Sequence, residues 1–168
     1  MKTIIETERL RLREFTLDDT AFIITLLNSA GWIEFIGDRN IKTTAEAIAY
    51  LENGPLKIYE NHGFGLWIAE LKHDKTPIGM CGILKRDTLD FPDLGFCFLP
   101  EYFGKGYAYE SADAALQIAR ESFHIETICA ITLANNNASI KLLEKLGLQF
   151  ISTISFPDND ETLLLYSN

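Results

Sequence analysis

The stretch Phe98–Phe123, FLPEYFGKGYAYESADAALQIARESF, sets two glycines where a helix must begin. Upstream, DLGFCFL reads as a strand; downstream, Ala108, Ala112, Ala115, Leu116, Ala119 and Phe123 recur at helical spacing. Glycine costs a helix about 1 kcal/mol relative to alanine, so Gly104 and Gly106 need a role that offsets it. A helix N-terminus leaves unpaired N–H groups pointing along its axis, with partial positive charge behind them. Where side chains are absent, a phosphate can approach that backbone closely. The amides of Gly104, Lys105, Gly106, Tyr107 and Ala108 can therefore form a pyrophosphate cradle. A plain glycine-rich turn is the competing reading. Two other phosphate loops do not fit: there is no GxxxxGK[ST], and the third glycine of GxGxxG is replaced by Tyr109.

Outward from this loop the chain falls into short elements. RLRLREF alternates Leu10 and Leu12 with Arg9, Arg11 and Arg13, a half-buried first strand. TLDDTAFIITLLNSAG predicts a helix with Asp18 near its N-cap and Gly31 past its end. KTTAEAIAYLE starts a second helix, capped by Thr43 or Thr44, which runs to about Tyr59 with a break at Gly54-Pro55. FGLWIAEL and PIGMCGILKR form a hairpin across KHDKT, and DLGFCFL is a third strand. After the long helix come the strand TICAITLA, the short helix NNASIKLLEKLG ended by Gly147, and the closing strands LQFISTISF and ETLLLYS. The predicted order is β-α-α-β-β-β-α-β-α-β-β. That is an α+β fold with a mixed, mostly antiparallel central sheet and helices on both faces. No repeat or linker interrupts it, so one domain is expected over residues 1–168.

Composition narrows the function. The 168 residues carry 15 basic and 24 acidic side chains, a net charge of −9, against the basic stripe a nucleic-acid partner requires. Acidity suits a cationic substrate, or solubility alone. Cys81, Cys97 and Cys129 sit in separate apolar runs with no CxxC, which predicts buried, inert thiols in a reducing compartment. MKTIIETERLRLREF has no apolar signal core, and no run approaches the roughly 18 apolar residues of a membrane span. The expectation is a cytoplasmic protein with no membrane partner. His62, His73 and His124 are scattered, so no metal is expected.

Three stretches resemble one family. FGKGYA, Phe103–Ala108, is similar to the acyl-CoA pyrophosphate loop of GNAT acetyltransferases, written [QR]xxGx[GA]. Gly106 and Ala108 match, and Phe103 stands where Gln or Arg is usual. TERLRLREFTLDD resembles the first strand and helix of the Rim-type branch, which acetylates protein N-termini and other amines. NNASIKLLEKLG resembles its Asn-xx-Ser-xx-Leu-Leu-Glu-Lys-x-Gly helix, with Asn136, Ser139 and Gly147 in place. The resemblance implies acetyl-CoA as co-substrate and a GNAT-like sheet whose strand DLGFCFLP parts from TICAITLA to admit pantetheine. It places the Phe98 backbone beside pantetheine and the Phe96 amide at the thioester carbonyl, as a donor to the negative charge that develops there.

An amine nucleophile must be neutral. Deprotonating a lysine-like amine (pKa near 10.4) at pH 7 costs about 4–5 kcal/mol, and an α-amine near 8 about 1–2. Asp93 is the candidate base, directly or through water, with a solvated strand-start carboxylate as the other reading; Glu70 is a weaker candidate. Leu143 stands where many family members place a tyrosine acid, which leaves Ser139 as donor to the departing thiolate; helix capping, shared with Asn136 or Asn137, is its other reading. Trp32, Glu34 and Phe35 are candidates for the acceptor wall, the two aromatics also reading as core. The leading expectation is acetyl transfer to a primary amine, on a protein N-terminus or a small molecule, in a ternary complex. A non-catalytic acyl-CoA sensor of the same fold is the alternative, and a homodimer is left open.

Overall fold

Leu10 and Leu12 lie on one face of a strand and are fully buried, as their alternation requires. That strand, β2 (Leu10–Arg13), is not the first. Thr3–Glu6 forms β1 and pairs antiparallel with it; four residues are too few for a period to stand out in the sequence. The computed structural model describes the backbone of residues 2–156 and 159–168, with side chains over 2–156 and 161–168.

The helix expected over TLDDTAFIITLLNSAG is two, α1 (Thr20–Leu27) and α2 (Ala30–Phe35), after a 3₁₀ turn at Leu17–Asp19. Asn28 donates its side-chain amide to the carbonyls of Ile24 (2.7 Å) and Ile41 (2.8 Å), and the Ser29 hydroxyl donates to Leu26 (2.7 Å). Side chains thus take up the last carbonyls of α1 and stop it. Gly31, expected past the helix end, lies inside α2. The acid at the first cap is Asp19, which accepts from the Thr16 amide at 2.8 Å, rather than Asp18. Thr43 caps α3 (Thr44–Leu51) in a reciprocal box with Glu46. The break expected at Gly54-Pro55 is instead a π-helical turn, Glu52–Leu56, whose wider bonding absorbs the missing proline N–H and leads into α4 (Lys57–His62).

The remaining elements are β3 (Leu66–Leu71), β4 (Pro77–Leu84), β5 (Asp93–Phe98), α5 (Tyr107–Phe123), β6 (Cys129–Leu133), α6 (Asn137–Lys145), β7 (Gln149–Phe156) and β8 (Asn159–Ser167). The sheet order is β1-β2-β3-β4-β5-β6-β8-β7, and among its described pairings only β5–β6 is parallel. Alternate strand residues feed two cores. Trp67, Ala69, Cys81, Ile83 and Phe98 pack with α5 and Leu143 of α6. Ile68, Met80 and Leu99 pack with α1, α2 and α3 on the other face. Among the described residues no helix is long and apolar enough to cross a membrane.

Candidate active site

The parallel pair β5–β6 is in register at one point, Asp93 opposite Cys129, where the Cys129 amide donates to the Pro92 carbonyl at 2.9 Å. Beyond it β5 continues to pair with β4 and β6 with β8, but not with each other. The strands therefore part toward their C-terminal ends and leave a wedge. The Leu99 amide donates to Ile78 of the β4 side at 2.9 Å. Antiparallel strands send successive residues' polar groups to opposite sides, so the backbones of Phe98 and Phe96 face the wedge. α5 follows β5 and α6 follows β6, so both helices start at its open end.

At that end Gly104 (φ +70°) and Gly106 (φ +82°) are both left-handed, and Gly106 is the N-cap of α5. A β-carbon on Gly104 would meet open space, whereas one on Gly106 would stand 3.2 Å from a guanidinium nitrogen of Arg9. Gly106 is thus needed for its dihedral and for close packing behind the loop, while Gly104 leaves the outer side clear. Lys105 is exposed, its ammonium 5.3 Å from the Tyr102 ring centre, and Tyr107 and Ala108 are half-buried in the first turn. Phe103 is 56% exposed, and its ring lies 3.3 Å from the place of a β-carbon on Gly31. It joins the loop to α2.

At the wedge's apex Asp93 is buried, not solvated. Arg86 Nε reaches both carboxylate oxygens, at 3.0 and 3.1 Å. Burial raises the Asp93 pKa above the ordinary carboxylate value, against the opposing pull of Arg86. Glu70 lies elsewhere, bound to Arg13 and Arg11. Across the wedge, Asn136 caps α6 by accepting from the Ser139 amide at 3.1 Å, so Ser139 itself is not the cap. Ser139 is half-buried, and Leu143 one turn further is core. On α2, Glu34 is exposed, Phe35 half-buried and Trp32 buried, with no hydrogen-bond partner for its indole N–H among the described residues. Trp32 packs in the core beneath α1 and α3. All three cysteines are free thiols; burial pushes Cys81 and Cys97 up to about 12 and Cys129 up to about 11. They are un-ionised at neutral pH.

The parted parallel pair with two helix N-termini at its mouth leaves an open cleft, and residues 9–149 match the model of the Acetyltransferase (GNAT) domain. The chain belongs to the GNAT acetyltransferase family. It is an acyltransferase enzyme of that family's fold. The Bacillus subtilis protein YkkB is 29% identical over 157 residues, 91% of this chain and 89% of that one. The fold is similar to that of a GNAT-family acetyltransferase from Bacillus anthracis (TM-score 0.81, 21% identity, 99% of this chain and 98% of that one). It is likewise similar to RimL, a ribosomal alpha-N-protein acetyltransferase solved with coenzyme A (TM-score 0.80, 11% identity, 99% and 97% covered). Sequence reasoning does not single out two arginines in this region: Arg9, which lies behind the loop with partners about a hundred residues away, and Arg86, on the Asp93 carboxylate.

Proposed function

We propose that this enzyme, as one domain over residues 1–168, transfers acetyl from acetyl-CoA to a primary amine in a ternary complex. The observation that carries the reading is the wedge between β5 and β6, with the starts of α5 and α6 at its mouth. Phosphates of the donor lie against the amides from Gly104 to Ala108, beside Phe103 and Lys105, and the thioester arm runs down the wedge along Phe98, with Asn136 and Ser139 on the opposite side. RimL's bound coenzyme A supports the same class of donor here. The amine nitrogen attacks the thioester carbonyl carbon; the C–N bond forms, the C–S bond breaks, and the Phe96 amide donates to the carbonyl oxygen as charge develops. Asp93 takes the proton the amine sheds, directly or through water, and the Ser139 hydroxyl donates to the leaving thiolate. Trp32, Glu34 and Phe35 shape the acceptor side. An α-amine makes the smaller demand on the base, which favours a protein N-terminus, as in the Rim-type branch, over a lysine-like amine.

One observation favours a second reading: Arg86 on both Asp93 oxygens suits a carboxylate held for structure in a protein that binds acyl-CoA without turnover. Calorimetry with acetyl-CoA and an acceptor screen decide. On the catalytic reading Asp93→Asn keeps donor affinity and loses about 10²–10⁴-fold in rate. The wild-type rate falls as pH drops through the raised Asp93 pKa, because the proton-accepting form is lost there. Donor binding with no turnover of any amine supports the sensor, and no donor binding refutes both.

A further inference from the structure

We infer that Arg9 is a positioning residue for the anion-binding loop, aiming its amides and cancelling a carboxylate at the start of α5. This rests on the donor reading above. Arg9 reaches the loop from the turn between β1 and β2. Its Nη1 donates to the Lys105 carbonyl at 2.9 Å, its Nε donates to Glu110 Oε2 at 2.7 Å, and its guanidinium carbon lies 4.5 Å from the centre of the Tyr107 ring. Glu110 Oε1 in turn accepts from the Arg9 amide at 2.8 Å and from the Thr7 hydroxyl at 2.5 Å.

Two consequences follow from elementary geometry and charge. In a trans peptide the C=O of one residue and the N–H of the next point in opposite directions. Tying the Lys105 carbonyl inward to Arg9 therefore turns the Gly106 N–H outward, away from Arg9. Glu110 occupies the first turn of α5, where the helix favours negative charge, and there it competes with any anionic ligand. Arg9 pairs with it, so the helix end stays available to phosphate. The pair is only partly screened: the Arg9 side chain is 42% exposed and that of Glu110 15%. The Gly106 position completes the arrangement, since a β-carbon there would push against Arg9 Nη2.

The test compares two donors with the same thioester arm. Acetyl-CoA carries phosphates; S-acetylpantetheine does not. With Arg9→Met, affinity for acetyl-CoA falls about tenfold, the scale of one lost charge-assisted contact, measured by calorimetry. Affinity for S-acetylpantetheine, followed by ligand-observed NMR, changes less than about twofold on the same reasoning. Arg9→Lys, which keeps the charge near Glu110 without the second arm to Lys105, gives an intermediate loss confined to acetyl-CoA and carries the test if the Met variant does not fold. Equal losses for both donors, or no loss for acetyl-CoA, would overturn the inference and leave the donor reading standing. Wild-type protein that binds neither donor overturns the donor reading itself, and the inference with it.

Discussion

Arg13 sits between two acids on the side of β2 opposite Leu12. Its Nη2 and Nη1 donate to the two Asp19 oxygens at 2.8 and 3.0 Å, and its Nε donates to Glu70 Oε2 at 2.8 Å. The three side chains are only 6%, 9% and 4% exposed, so Arg13→Met would leave two carboxylates buried without their shared cation. Removing one partner of a buried ion pair costs about 3–5 kcal/mol. Two contacts survive and argue for the low end: Arg11 Nη1 still reaches Glu70 at 3.3 Å, and the Thr16 amide still donates to Asp19 at 2.8 Å. With an unfolding entropy of about 2.1 cal/mol/K per residue, a chain of this length loses about 9 °C in Tm for 3 kcal/mol. The Arg13 pKa is raised: burial lowers it, and the hydrogen bonds and charges of Asp19 and Glu70 more than reverse this. Its contribution is therefore present below the unfolded pKa and lost only as pH rises through the still higher folded one, so the loss in Arg13→Met does not depend on titrating Arg13 at neutral pH. The compensating variant Arg13→Met, Asp19→Asn, Glu70→Gln removes the charges of all three side chains, leaves Arg11 its partner Glu6, and keeps an acceptor for Thr16; it recovers most of the loss. Thermal and urea unfolding read both variants. A single-variant loss under about 1 kcal/mol, or a triple variant no more stable than the single one, refutes the reasoning that uncompensated charge is what matters.

The loop glycines separate dihedral strain from packing: Gly104→Ala, at φ +70° with open space around it, costs about 1 kcal/mol of stability from the left-handed backbone alone. Gly106→Ala adds contact with Arg9, so it loses more stability and, unlike Gly104→Ala, weakens acetyl-CoA affinity by several-fold; equal behaviour of the two in unfolding and calorimetry contradicts the assignment. Leu143→Tyr tests the position where the family resemblance would place a tyrosine, which is 1% exposed here. It destabilises by about 1–3 kcal/mol through overpacking, read by urea unfolding, and a stability-neutral variant would mean the ring reaches the wedge instead.

What could be read from the sequence was what local pattern encodes. The hairpin of β3 and β4, the long α5, the cap expected at Thr43 or Thr44 (found at Thr43) and the Gly147 stop after α6 each follow from spacing or one residue's chemistry within a few positions, and each is found. The misses are of another kind. α1 ends at Asn28 because that side chain finds Ile41, thirteen residues on. Asp93 stands out in the sequence as a candidate base, with a solvated strand-start acid as the other reading; its burial and its pairing with Arg86 are set by strands and packing that the local pattern does not show. The arginines of RLRLR make the point most sharply, since alternation assigns all three to the polar side of one strand and distinguishes nothing among them. In the fold Arg9 leaves for the start of α5, Arg11 pairs with Glu6 and Glu70, and Arg13 is buried between Asp19 and Glu70. A period of two specifies the side of the strand on which a charge sits, but its partner is set by which later strand and helix the topology brings alongside. Here that topology brings one arginine to the loop before α5 and buries another between two acids, so, on the proposed donor site, Arg9→Met and Arg13→Met should fail in different assays although the two residues are four apart in sequence.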